Sequence, residues 1–164
     1  MTTYTNQFES PLGQLLMASD GEYLTGLWFL NQKHFAAKLD DETFVRELPI
    51  FDATKHWLAD YFEGKHNLPT LPLKPIGTDY QKNVWQKISE IPYGQTVTYQ
   101  DIANSLSTEH KTSPRAVGGA VGRNPISIIV PCHRVIGSNQ QLTGYAGGIE
   151  RKIALLKLEK TLLI

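Results

Sequence analysis

The chain has 164 residues, 16 Lys and Arg against 16 Asp and Glu, and one cysteine. A chain of this length buries roughly 70% of its extended surface and folds without covalent staples, and a lone cysteine excludes an internal disulfide and fits a reducing compartment. No window approaches the ~20 apolar residues of a spanning helix. The opening MTTYTNQFESPLG lacks the basic-then-apolar order of a secretory leader, so a cytoplasmic protein without membrane contact is expected. The neutral total conceals a gradient. Residues 1–76 hold six Lys/Arg against ten Asp/Glu, and residues 77–164 hold ten against six. Any anionic partner is expected to meet the second half.

In chain order, TYTNQF, QLLMAS and YLTGLWFL are short β-type runs separated by turn residues at SPLG and DGE, which predicts a small antiparallel sheet. HFAAKLDDETF (34–44) predicts a helix. DATKHWLADYFEG (52–64) predicts a second, capped by Asp52, with Trp57, Leu58, Tyr61 and Phe62 on one face and Gly64 as the stop. NLPTLPLKPIG places three prolines within seven residues, and proline removes a donor and fixes φ. This is read as a linker over 69–77, between a first domain at 1–68 and a second at 78–164.

The second domain opens with Thr78 as a cap before DYQKNVWQKI, where Tyr80, Val84 and Ile88 form a stripe. Thr98 stands three residues before Asp101, a capping-box spacing, ahead of the helical YQDIANSL. After the polar STEHKTS comes a helix with Ser113 as cap and Pro114 at its first position, ended by Asn124-Pro125. ISIIV predicts a buried strand leading to Cys132. IERKIALLKLEKTLL predicts an amphipathic helix repeating through Ile153, Leu156 and Lys157.

Two helices joined by a loop in the basic half suggest a helix-turn-helix, although the loop exceeds the usual 3–4 residues. Gly118, Gly119, Ala120 and Gly122 crowd the second of these helices, and each glycine there costs about 1 kcal/mol relative to alanine. Either tight internal packing or close approach to a phosphate backbone would offset that cost. Arg115 at the helix start is either a solvated surface residue or a contact to phosphate. Cys132 has two readings as well. After an apolar run it is a small buried hydrophobe; beside His133 and Arg134 it is a thiol whose ionisation is assisted. Adjacent strand residues face opposite ways, so His133 reaches the sulfur only through a turn or a bridging water. The histidines at 34, 56, 66, 110 and 133 match no metal-ligand spacing.

The stretch RAVGGAVGRNPISIIVPCHRVIG, then GYAGG, then a helix ending at Glu159 resembles the O6-alkylguanine-DNA alkyltransferases, also called methylated-DNA–protein-cysteine methyltransferases. The resemblance runs from about Thr78 to Glu159. It implies an α+β protein: a small N-terminal α/β domain of ribonuclease-H-like type with an antiparallel sheet, then a mainly helical winged helix-turn-helix domain. It implies Cys132 as acceptor of the alkyl group, His133 as base through a water, Glu159 holding the imidazole, and Tyr99 rotating the target phosphate and donating to the purine ring. Tyr145 would flank the base, with backbone groups near Val130 and Ala146 reading its edges, and Asn124 would be the hinge. Arg115 would fill the vacated stack, with Ala116, Gly118, Gly119 and Arg123 on the DNA-binding face.

The implied partner is double-stranded DNA carrying an alkylated guanine, met by a monomer with no cofactor. Some members have serine where this chain has Ala146, which leaves substrate breadth, O4-alkylthymine included, open. Residues 1–76 contain no cysteine, so the zinc found in some members is not expected. The competing readings are a helix-turn-helix regulator with an inert cysteine, an alkyltransferase-like lesion sensor, which would lack the acceptor cysteine, and a cysteine hydrolase, for which no oxyanion site is visible.

Overall fold

The computed structural model describes residues 2–36, 39, 42–106, 112–138, 142 and 144–161. It divides into two compact units: residues 1–76 with 125–127, and residues 77–124 with 128–164. The protein is α+β, a sheet domain followed by a mainly helical one.

In the first unit, β1 (Thr3–Ser10), β2 (Gly13–Ser19) and β3 (Leu24–Phe29) form an antiparallel meander. Gly13 at φ 124 closes the first turn. Asp20 Oδ1 closes the second by accepting from the N–H groups of Glu22 and Tyr23 at 3.0 and 2.9 Å. β4 (Thr43–Val45) adds to β1 in parallel, giving the order β3-β2-β1-β4. Every residue of β3 is buried, which explains why LTGLWF is nearly unbroken apolar sequence. Its outer edge is covered by the chain itself. Leu24 N donates to Pro72 O and Leu24 O accepts from Lys74 N, while Leu27 N donates to Pro125 O and Leu27 O accepts from Ser127 N. Gly26 is required here, because a Cβ would lie 2.0 Å from the Trp28 ring.

Two expectations in this unit are corrected. The segment 34–44 is not a helix where it is described: His34 and Ala36 take φ of 58° and 50°, which cannot propagate a right-handed helix, and residues 43–45 pair with β1. Residues 37, 38, 40 and 41 of that segment lie outside the described residues. The next helix, α1 (Pro49–Phe62), starts before Asp52, which sits inside its first turn. Pro49, with φ preset and no N–H to satisfy, opens it without any side-chain cap from Leu48. Ile50, Phe51, Thr54, Leu58 and Tyr61 form its buried face.

In the second unit, α2 (Asp79–Ser89) begins with a reciprocal capping box between Thr78 and Gln81. It buries Val84, Trp85 and Ile88, while Tyr80 is half-buried. Trp85 Nε1 donates to Ala120 O at 2.8 Å, which ties α2 to α4 (Pro114–Gly122). The short β5 (Val97–Thr98) runs directly into α3 (Tyr99–Leu106), where Thr98 and Asp101 exchange backbone-to-side-chain bonds of 3.0 Å each. Ser113 caps α4 through Ala116 N, with Pro114 in the first turn. The loop STEHKTS falls largely outside the described residues. β6 (Val135–Ile136) pairs in parallel with β5, and α5 (Ile149–Leu158) closes the unit.

The expected strand at 126–130 is a turn. Ile126 makes a single bridge to Leu27, and Ile128 then takes φ 70 although it is β-branched and 1% exposed. Such a backbone costs on the order of 1–3 kcal/mol and persists where surrounding structure overdetermines it. The α5 stripe is also corrected. Lys152, Leu155 and Leu156 are buried, Ile153 is half-buried and Lys157 is exposed. The inward face is the one that carries Glu159.

Candidate active site around Cys132

The site is assembled by three local devices. Pro131, at φ −83 and ψ 65, makes an inverse γ-turn closed by Cys132 N donating to Val130 O at 2.8 Å. Cys132–Arg134 then forms one turn of 3-10 helix, so consecutive side chains point about 120° apart rather than to opposite faces. Finally, α5 ends in a Schellman arrangement: Lys160 N donates to Lys157 O, Thr161 N to Leu156 O, and Lys160 takes φ 60. Glu159 is the C-cap residue of that motif, and its side chain is turned inward beneath His133.

His133 Nε2 and Glu159 Oε2 are 2.6 Å apart, and both side chains are fully buried. Arg134 donates from Nε to Glu159 Oε1 at 2.8 Å and from Nη2 to Oε2 at 3.1 Å. Burial alone would push the Glu159 carboxyl up, but the bonds from His133 and Arg134 outweigh it and hold it at about 2. An ionised carboxylate only accepts, so His133 Nε2 carries the hydrogen. The remaining nitrogen, Nδ1, has no hydrogen-bond partner in the protein. Burial pushes the imidazole below its ordinary range, against the pull of Glu159, so His133 rests neutral with an open lone pair on Nδ1.

Cys132 is 3% exposed. Burial pushes its thiol up, opposed by the Asn124 side chain, the charge of Lys152 and the N–H groups of residues 132 and 133. The resting sulfur is therefore a thiol. Arg134, expected from sequence to help ionise it, is spent on Glu159 instead. Asn124 ends the α4 segment and donates from Nδ2 to Val130 O at 2.8 Å, besides bonding the sulfur. It thus ties α4 to the turn that carries Cys132. Val130 O is filled twice, by Asn124 and by Cys132 N, and so holds the turn in place.

Tyr99 opens α3 immediately after β5, and the β5–β6 pairing brings it to the segment that follows Cys132. Burial and then the charge of Cys132 push its phenol up, so it keeps its proton. A Cβ on Gly144 would sit 3.2 Å from the Tyr99 hydroxyl, which puts the glycine-rich flap beside this residue. Tyr145 is buried with its ring edge-on to His133 at 6.5 Å, and Ala146 is half-buried. Arg115, Ala116, Gly119 and Arg123 are exposed along α4, and Gly118 is half-buried. Added Cβ atoms at Gly119 and Gly122 would meet nothing within 4 Å, and one at Gly118 would only touch the Tyr99 ring at 3.8 Å. Internal packing therefore does not demand these glycines.

Sequence reasoning missed Lys152. It is 0% exposed, donates from Nζ to Val135 O at 2.6 Å, and is lowered by burial to about 8. Its spacing to Leu155, Leu156 and Glu159 places it on the inward helical face and was the available signal.

Two family models match the chain: the ribonuclease-like domain of 6-O-methylguanine DNA methyltransferase over residues 2–75, and the DNA binding domain of the same family over residues 79–161. The methylated-DNA–protein-cysteine methyltransferase of Haemophilus influenzae is 43% identical over 158 residues, covering 96% of this chain and 86% of that protein. The protein of the same name from Methanosarcina acetivorans is 45% identical over 153 residues, covering 93% and 95%. A crystal structure of Mycobacterium tuberculosis OGT in complex with DNA superposes with a TM-score of 0.84 at 41% identity, covering 98% of this chain and 94% of that one.

Proposed function

Because the chain belongs to the 6-O-methylguanine DNA methyltransferase family, we propose that it repairs alkylated DNA by moving the alkyl group from O6 of guanine onto Cys132. The carrying observation is that Cys132 shares one 3-10 turn with a neutral, buried His133 whose far nitrogen is bonded to Glu159. His133 Nδ1 takes the thiol proton through a water, and the sulfur attacks the alkyl carbon. The carbon–O6 bond breaks with its electron pair going to the guanine, which takes a proton. Tyr99, a protonated phenol near the sulfur, supplies the donor. The thioether product leaves no free thiol, so each molecule acts once.

O6 of a stacked guanine is out of reach, so the base must leave the duplex at a cost of a few kcal/mol. Helices α3 and α4 act as the helix-turn-helix, with Arg115 filling the gap and Arg123 on phosphate. The bare face of Gly119 and Gly122 supports close approach to a groove, since no internal neighbour explains it. Tyr145, Ala146 and the turn at Val130 border the extruded base, with Asn124 as the link from α4. In this reading the protein is a cytoplasmic monomer that acts on alkylated guanine in double-stranded DNA.

The test is to incubate the protein with an O6-methylguanine duplex and weigh the tryptic peptide that contains Cys132. The peptide gains a methyl group, and Cys132→Ser binds the duplex yet gains nothing. An unmodified peptide beside tight binding would instead favour a regulator or a lesion sensor.

A further inference from the structure

Arg134 has no task in that reaction, yet its side chain is more fully engaged than that of His133. It is 9% exposed. Besides the two bonds to Glu159, Nη1 donates to Ile91 O at 2.8 Å, and the Tyr93 ring lies 5.6 Å from its Cζ. A guanidinium fork that binds both oxygens of a carboxylate removes the rotation a single bond would allow. Glu159 Oε2 is then left with one direction in which to accept from His133 Nε2. The imidazole plane and tautomer follow from that direction, much as a second partner fixes a metal-bound histidine.

We propose that Arg134 is a positioning residue for the transfer: by gripping both oxygens of Glu159 it fixes His133 with Nε2 as donor and Nδ1 as the open acceptor. This rests on the reading of Cys132 as acceptor and His133 as base. The titratable and charged groups around His133 are Cys132 and Arg134 on its own turn and Lys152 and Glu159 from the α5 segment, with Tyr145 against the ring edge. Glu159 favours the imidazolium, whereas Arg134 and Lys152 oppose it together with burial. Without the Arg134 charge the pull of Glu159 is less balanced. The imidazole then takes a proton at higher pH, and the base is lost sooner on acidification.

Single-turnover methyl transfer from an O6-methylguanine duplex, followed across pH, tests this. Arg134→Met is expected to slow transfer about tenfold, the scale of one buried charged hydrogen bond, and to move the acid limb of the profile up by roughly one pH unit. Arg134→Lys keeps the charge but not the fork, so it slows transfer with a smaller shift of that limb. In a Glu159→Gln background, and at a pH above the acid limb where His133 is neutral, Arg134→Met should add less than about a twofold loss, because the fork that orients His133 is already gone. Uniform slowing with an unmoved acid limb, or losses that multiply in the double variant, would reduce Arg134 to a structural residue and overturn the proposal. Thermal melting and binding of undamaged duplex confirm that each variant is folded, and Arg134→Lys carries the test if Arg134→Met is not. A wild-type protein that never gains methyl on the Cys132 peptide would sink the underlying reading instead.

Discussion

Two side-chain groups of nearly the same composition stand in the two units of this protein, and they do different things. In the first unit, His56 lies 3.6 Å from Asp60, and Lys65 lies 3.2 Å from Asp60 and 3.6 Å from Glu63, with His56 84% exposed. In the second, His133 and Arg134 converge on Glu159 at 2.6 and 2.8 Å, and neither His133 nor Glu159 has exposed side-chain surface. Water and salt screen the first group, and a lysine on a flexible stem meets its carboxylates as a point charge. The second is unscreened, and every oxygen of its carboxylate is assigned. The same kinds of side chain in proximity therefore make a screened surface cluster in one unit and, in the other, a buried group whose carboxylate is fully bonded while His133 Nδ1 stays open.

The largest expected effect comes from breaking the buried group at its centre. Glu159→Gln should slow methyl transfer by about a hundredfold, in the range of general-base assistance, and lower unfolding stability by about 3–5 kcal/mol, because Arg134 is left buried beside a neutral partner. Stopped-flow transfer and chemical denaturation read the two effects separately. The contrast sharpens with pH. Glu159, held at about 2 against an ordinary 4.5, contributes stability that is fully present above pH 4.5 and lost as pH falls toward 2. His133, held below its ordinary 6.5, contributes stability that is present above pH 6.5 and lost as pH falls below it. Calorimetry should show Tm falling in these two stages, and Glu159→Gln should remove the lower one. The smallest effect belongs to the exposed group: Asp60→Asn should leave transfer unchanged and Tm nearly so. A loss of transfer in that variant would mean that the comparison is drawn in the wrong place.

The parts of the fold readable in the sequence are those with local causes. Thr78, Thr98 and Ser113 act as caps because a cap needs only a neighbour three residues away, and each was legible. Strand β4 and the turn after Asn124 were not, because each depends on a partner far along the chain: β1 for Thr43–Val45 and Leu27 for Ile126. An apolar pentapeptide such as ISIIV reads as a strand until a distant edge takes one residue and lets the rest turn. At the candidate site, a motif singled out Cys132, His133 and Glu159, which the structure brings together, while the roles expected of them came from the resemblance. Which group Arg134 would serve, and that Lys152 would be buried, depended on where α5 returns. Residue spacing placed Lys152 on the right face but could not say that its Nζ would find Val135 O.

The depth of the Cys132 sulfur carries a consequence for the idle protein. A reagent spent in a single use is wasted if peroxide or a stray electrophile reaches it first, and such attack proceeds through the thiolate at accessible sites. Here the sulfur is buried and burial holds it as a thiol, beside a histidine that burial holds neutral. A sulfur that is both buried and uncharged presents little thiolate to such reagents, so the resting state works as a safety catch on a residue that serves once.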